Sequence, residues 1–119
     1  MRDQALFDKI DLHLIRVLYT VLTERNVSRA AIRLGMSQPA VSAVLKRLRE
    51  LAGDPLLVRS GAAMVPTDAG LRMIEPSAGI LRAAEVLFTE ARGFEPQTAR
   101  TTFRVAASDY LDPFFLPQL

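Results

Sequence analysis

Ser37, Gln38, Pro39 and Ser42 fall within six consecutive positions, inside a stretch, Arg25 to Arg49, that holds six basic side chains and not one Asp or Glu. Small polar groups embedded in a run of cations suit an anionic partner. If the partner is duplex DNA, each residue type has work to do. A Gln amide can pair bidentately with adenine N6 and N7, and Pro39 and Ala40 can touch a thymine methyl. Lys46, Arg47 and Arg49 suit phosphates, which supply affinity and salt dependence but no sequence reading. The same charge run also describes an ordinary solvated face, so charge alone leaves both readings open.

Other chemistry has little to build on. The 119 residues contain no Cys and one His, which excludes disulfides, thiolate zinc sites and Cys nucleophiles. His13 reads as an ordinary helix position, and Asp109 with Asp112 is too isolated a pair for metal or acid-base work. No catalytic residue, metal ligand or cofactor is therefore expected, and the chain is not read as an enzyme.

Half of the chain is apolar, and 15 basic against 13 acidic residues leave a formal charge of only +2. That near-neutrality hides an asymmetry. Residues 1 to 60 carry ten basic and six acidic groups, a net +4, and the rest carries −2. The length allows one modest domain, or one and a fragment. No run approaches the roughly 18 apolar residues of a membrane span, and Met1-Arg2-Asp3-Gln4 lacks a signal-peptide layout, so a cytoplasmic location away from membranes is expected.

The elements that must position these residues can be read from caps and periodicity. Asp11 caps a first helix with two apolar stripes, Leu14, Leu18 and Val21 on one and Leu12, Ile15, Tyr19 and Leu22 on the other. A second helix runs from Asn26 or Ser28 to Leu34 and closes at Gly35. Ser37 caps a third, from residue 38 to about 51, with Pro39 in its first turn. Val41, Leu45, Leu48 and Ala52 share its inner face, leaving Pro39, Ser42, Ala43, Lys46 and Glu50 outside. Leu56-Leu57-Val58-Arg59 and Met64-Val65-Pro66 outline a small hairpin whose loop Ala62 and Ala63 lengthen.

A long helix follows over residues 67 to 92, about 37 Å at 1.5 Å per residue. Met73, Ser77, Ile80, Ala84, Leu87 and Ala91 recur in steps of three and four, with Ile74, Ala78, Leu81 and Phe88 alongside, so it wants a partner helix. Pro76 predicts irregularity around residues 72 to 76. Residues 93 to 101 read as a hinge, and residues 102 to 119 as the first strand and helix start of a truncated α/β domain.

The second and third helices, joined through Gly35, make a helix-turn-helix: Ala30 and Ala31 permit close approach, and Leu34, Val41 and Val44 fill the angle. The N-terminal end of the third helix can then enter a major groove, and Arg59 can reach an adjacent minor groove. Blander roles stay open. Ser37 serves as a cap in any case, Lys46 to Arg49 can be merely solubilising, and Arg59 can pair with Asp54 on the surface.

Combined, Val27-Ser28-Arg29-Ala30-Ala31, Ser37-Gln38-Pro39-Ala40-Val41-Ser42, Leu45-Lys46-Arg47-Leu48-Arg49, Gly53-Asp54-Pro55-Leu56-Leu57-Val58-Arg59 and Val65-Pro66-Thr67 strongly resemble the DNA-binding domain of LysR-type transcriptional regulators. The resemblance runs from about residue 5 to 92, and Asp-Pro-Leu-Leu-Val-Arg with Ala-Ala-Ser-Asp-Tyr is most similar to the nodulation and aromatic-degradation regulators. It implies a mainly α, winged helix-turn-helix fold over residues 1 to 66, with a two-stranded wing and a linker helix that pairs with a second subunit. A homodimer on an interrupted palindrome, and a tetramer at full length, follow from the same resemblance.

The implied DNA-contacting set is Ser28, Arg29, Ser37, Gln38, Pro39, Ser42, Lys46, Arg47 and Arg59. The implied dimerisation set is Met73, Ile74, Ile80, Leu81, Ala84, Leu87 and Phe88. Ser108 is a candidate effector contact in a full-length protein only, where a small-molecule effector would bind. Ala43 departs from the Arg, Lys or Gln of many relatives, which leaves Lys46 or Arg47 to compensate. The rival reading is a winged-helix interaction module that docks protein, for which an apolar outer face on the third helix would be the signature.

Overall fold

The computed structural model describes residues 4 to 93; the expected hinge beyond Gly93, the truncated domain and Ser108 lie outside the described residues. The elements are α1 (Gln4–Asp8), α2 (Leu12–Glu24), α3 (Val27–Leu34), α4 (Gln38–Ala52), β1 (Leu57–Ser60), β2 (Ala63–Pro66) and α5 (Asp68–Ala91). The chain divides into two units between Arg82 and Ala83, within α5. All elements before α5 belong to the first.

Local chemistry sets the helix ends. Asp11, Asn26 and Ser37 each accept a hydrogen bond from the backbone N–H three residues on, at 2.8, 2.8 and 3.2 Å, satisfying donors that helix geometry leaves open. Gly35 closes α3 at φ 66°, with its N–H on the Ile32 carbonyl and that of Met36 on Ala31. This paired closure is the Schellman motif, and it makes the turn between the two helices tight.

The core of the first unit is one cluster: Leu14, Val17, Leu18, Val21 and Leu22 from α2, Ala30, Ala31 and Leu34 from α3, Val41, Leu45 and Leu48 from α4, and Leu56. Alanines at 30 and 31 are buried where a larger side chain would hold α3 away from its neighbours. The two-stripe reading of α2 needs one correction: Val17, assigned to neither stripe, is fully buried, while Leu12 is 47% exposed. The inner face of α4 holds as expected except that Ala52, in its last turn, is exposed.

β1 and β2 pair antiparallel, Leu57 opposite Pro66 and Ser60 opposite Ala63. The loop is therefore shorter than the sequence suggested, with Ala63 in the strand and only Gly61 and Ala62 turning the chain. Gly61 takes φ 62°, the sign a two-residue hairpin requires. Pro66 ends its strand, where a missing N–H is tolerated.

The wing is clasped to the helices through the turn before it. Leu56 sits at φ 65°, an unfavourable conformation for Leu, with its side chain fully buried. Asp54 Oδ2 accepts from the Leu56 N–H and from Thr67 Oγ1, both at 2.7 Å. These bonds, the one from Thr67 foremost, hold the Asp54 carboxyl below the usual aspartate pKa. Thr67 Oγ1 in turn accepts from the Gly70 N–H at 3.0 Å, capping α5. The Thr67 N–H donates to the Leu56 carbonyl at 2.9 Å.

α5 continues through Pro76 as one helix of 24 residues, as expected of the long helix, and the local irregularity there is a backbone carbonyl without its donor. Pro76 and Arg72, whose carbonyl loses its donor, are both exposed, so water can serve that carbonyl. Met73 and Ile74 pack against the chain's own core, whereas Ile80, Leu87 and Phe88 are 45%, 59% and 61% exposed. Among the described residues, no helix is long and apolar enough to cross a membrane.

Candidate nucleic-acid interface

The N-termini of α3 and α4 and the tip of the wing border one concave surface of about 550 Å³, lined by Arg25, Asn26, Val27, Ser28, Arg29, Gln38, Ser42, Leu45, Arg49, Arg59, Ala62, Ala63 and Met64. Five of the nine residues expected to contact DNA are brought together here: Ser28, Arg29, Gln38, Ser42 and Arg59. The first four come from two helices whose spacing the Gly35 turn fixes. Arg59 comes from β1, 17 positions beyond Ser42, and reaches the same surface because the Asp54 and Thr67 clasp sets the angle of the wing.

Gln38 opens α4 and is exposed. Ser28 Oγ donates to its Oε1 at 2.9 Å, a link between the two helices of the motif. The remaining amide hydrogens and one Oε1 lone pair stay available for base edges. Ser37 and Pro39 flank Gln38 and are also exposed. Ser37 Oγ accepts the α4 capping bond from the Ala40 N–H, and its own O–H remains to donate.

The cations separate into different tasks. Lys46 is exposed on the outer face of α4, outside the lining of the concave surface. Arg47 Nη2 donates to the Lys9 carbonyl at 3.0 Å and so reaches toward the chain before α2. Arg49 lines the concave surface with two of its donors engaged inside the chain. Its Nε donates to the Pro55 carbonyl at 2.8 Å and its Nη2 to the Leu57 carbonyl at 2.9 Å, tying α4 to the wing. Asp54 is engaged by Leu56 and Thr67, which leaves the suggested Arg59–Asp54 pair unformed.

Arg25, Asn26 and Met64 line the surface without having been assigned to it. Arg25 sits in the left-handed conformation at φ 54° that ends α2. It belonged to the basic run, but only the direction of that turn reveals that it faces the surface. The outer face of α4 is polar and basic, with Ser42, Ala43, Lys46 and Arg47 all exposed.

Three helices around one core, a tight turn between the second and third, and a two-stranded wing define a winged helix-turn-helix protein. A family model described as a bacterial regulatory helix-turn-helix protein of the lysR family matches residues 12–71. The chain belongs to that family. It is 38% identical over 110 residues to the HTH-type transcriptional activator NahR of Pseudomonas putida, covering 92% of this chain and 37% of that protein. Nodulation protein D 1 of a Bradyrhizobium strain is 32% identical over 113 residues, covering 95% of this chain and 36% of the relative. The chain thus spans little more than a third of the length of these relatives. A solved structure described as a complex of the CbnR DNA-binding domain with DNA superimposes with a TM-score of 0.63 at 28% identity, over 70% of this chain and 95% of that one.

Proposed function

We propose that the chain is the DNA-binding portion of a cytoplasmic bacterial transcription regulator that binds an interrupted palindrome as a homodimer. In this reading residues 1 to 66 hold the DNA, and residues 67 to 92 pair with the same helix of a second copy. The N-terminal end of α4 lies in the major groove with Gln38, Pro39 and Ser42 toward the bases. Arg59 lies near the flanking minor groove, and Arg29, Lys46 and Arg47 serve the backbone.

The observation that carries it is the convergence of Ser28, Arg29, Gln38, Ser42 and Arg59 from three elements on one concave, basic surface. The CbnR domain's description as a DNA complex supports the same use of the fold. Exposed Ile80, Leu87 and Phe88 on α5 support a partner helix.

Selection of bound duplexes from a random-sequence pool, at two salt concentrations, tests the reading. Enrichment of a two-fold-related sequence is expected. Against that sequence Gln38→Ala should lose about 1 to 3 kcal/mol of discrimination, while Lys46→Ala should weaken binding to all duplexes alike. Equal losses on matched and mismatched duplexes for Gln38→Ala would remove it from base reading. Failure to retain any duplex at either salt concentration would favour a protein-docking module.

A further inference from the structure

The side chain of Gln38 has three rotatable bonds, and an exposed amide at the start of a helix can present either its oxygen or its nitrogen to a base. The two presentations read different bases. With Oε1 toward the exocyclic position and Nε2 toward N7, the amide complements adenine; turned over, its Nε2 donors face the O6 and N7 acceptors of guanine. Either way, the amide discriminates between bases only if it is held in one place.

We infer that Ser28 is a positioning residue that holds the Gln38 amide in one place, so that the base preference at this position depends on Ser28 without Ser28 touching the base. Its Oγ donates to Oε1 at 2.9 Å from ten residues away on the preceding helix. The bond occupies one of the two Oε1 lone pairs and leaves the other, with both Nε2 hydrogens, for base edges. A hydroxyl can donate to an amide oxygen or accept from an amide nitrogen, so it restrains where the amide stands and the DNA decides which base is paired. The geometry that keeps Ser28 there is stiff: α3 is capped by Asn26, closed by Gly35 and buried through Ala30, Ala31 and Leu34. Ordering the Gln side chain before DNA arrives also removes part of the entropy cost of binding. A phosphate contact by Ser28 would strengthen binding to every sequence; acting through Gln38 alters which sequence is preferred.

This inference rests on the DNA-binding reading, and the experiment separates the two. The 119-residue chain and its Ser28→Ala, Ser28→Thr and Gln38→Ala variants are each used to select duplexes from the random-sequence pool. Affinities are then measured for the best wild-type duplex and for the same duplex with the preferred base replaced at the position where Gln38→Ala loses its preference. Ser28→Ala should lower the wild-type preference there about three- to tenfold, and Ser28→Thr, which keeps the hydroxyl, should restore most of it. In the Gln38→Ala background, Ser28→Ala should change the preference no further. Ser28 is exposed, so thermal melting of Ser28→Ala should match wild type. An unchanged preference in Ser28→Ala, with or without a uniform loss of affinity, overturns the positioning role while leaving the DNA reading intact. A wild-type chain that enriches no sequence overturns both.

Discussion

Gly70→Ala is expected to destabilise the chain by about 2 kcal/mol, although Gly to Ala inside a helix ordinarily stabilises by up to about 1 kcal/mol. A Cβ at position 70 would stand 2.5 Å from the Leu56 carbonyl oxygen and 3.0 Å from Leu22 Cδ2. The first of these is backbone and cannot rotate aside. It belongs to a residue already held at positive φ, and the same oxygen accepts the Thr67 N–H. The methyl must therefore push α5 away from the turn or break that bond. Gly79, in the same helix, has nothing within 4 Å of its would-be Cβ. Gly79→Ala should accordingly raise stability, and the opposite signs of the two melting shifts check the packing of α5. A stable Gly70→Ala protein, with its melting midpoint unmoved where a loss near 10 °C is expected, would contradict the close approach.

Arg49 and Arg59, both read from the sequence as DNA contacts, should differ in what they do. Arg49→Met keeps the aliphatic stem but removes two charge-assisted hydrogen bonds to the Pro55 and Leu57 carbonyls, at about 2 to 3 kcal/mol of stability for a partly exposed pair. Arg59→Met removes an exposed cation on the wing. Stability should stay within about 0.5 kcal/mol, while the slope of log affinity against log salt should fall by about 1 for each subunit on DNA. Chemical denaturation and binding isotherms at several salt concentrations measure both. If Arg49→Met melts like wild type and instead lowers the salt slope, it is a phosphate contact and the clasp does not matter to the fold.

The contrast between these two arginines shows where the sequence is legible. Caps and turns can be read because their partners lie within a few positions: Asp11, Ser37 and Gly35 each do what their residue type predicts. Even α3 needed only the choice between Asn26 and Ser28 as its cap, which the hydrogen bond to Arg29 decides for Asn26. The concave surface was largely legible for the same reason, since Ser28, Gln38 and Ser42 lie on helices with readable phases. The clasp was not. Arg49 meets the Pro55 and Leu57 carbonyls, and Asp54 meets Thr67, only through the path of the chain after Gly53, about which periodicity carries no information.

The same limit explains the smaller departures. α1 is five residues long, too short to show a period. Val17 flanks the Leu14, Leu18 and Val21 stripe of α2 on the side away from the second stripe, yet it is fully buried, because α2 packs on α3 and α4 together and its inner side is covered. Pro76 marks a helix break by local rules, but its place on the exposed side of α5 makes the lost hydrogen bond inexpensive.

The central claim is that DNA lies against the surface shared by α3, the start of α4 and the wing. Titration of the isotopically labelled chain with its selected duplex, followed by nitrogen–proton correlation spectra, tests it residue by residue. The largest shifts should fall on the backbone signals of Ser28, Arg29, Ser42 and Arg59 and on the side-chain amide of Gln38, while buried Val17 and Val21 stay in place. Shifts gathered instead on Ile80, Leu87 and Phe88, with the Gln38 amide unmoved, would contradict the account.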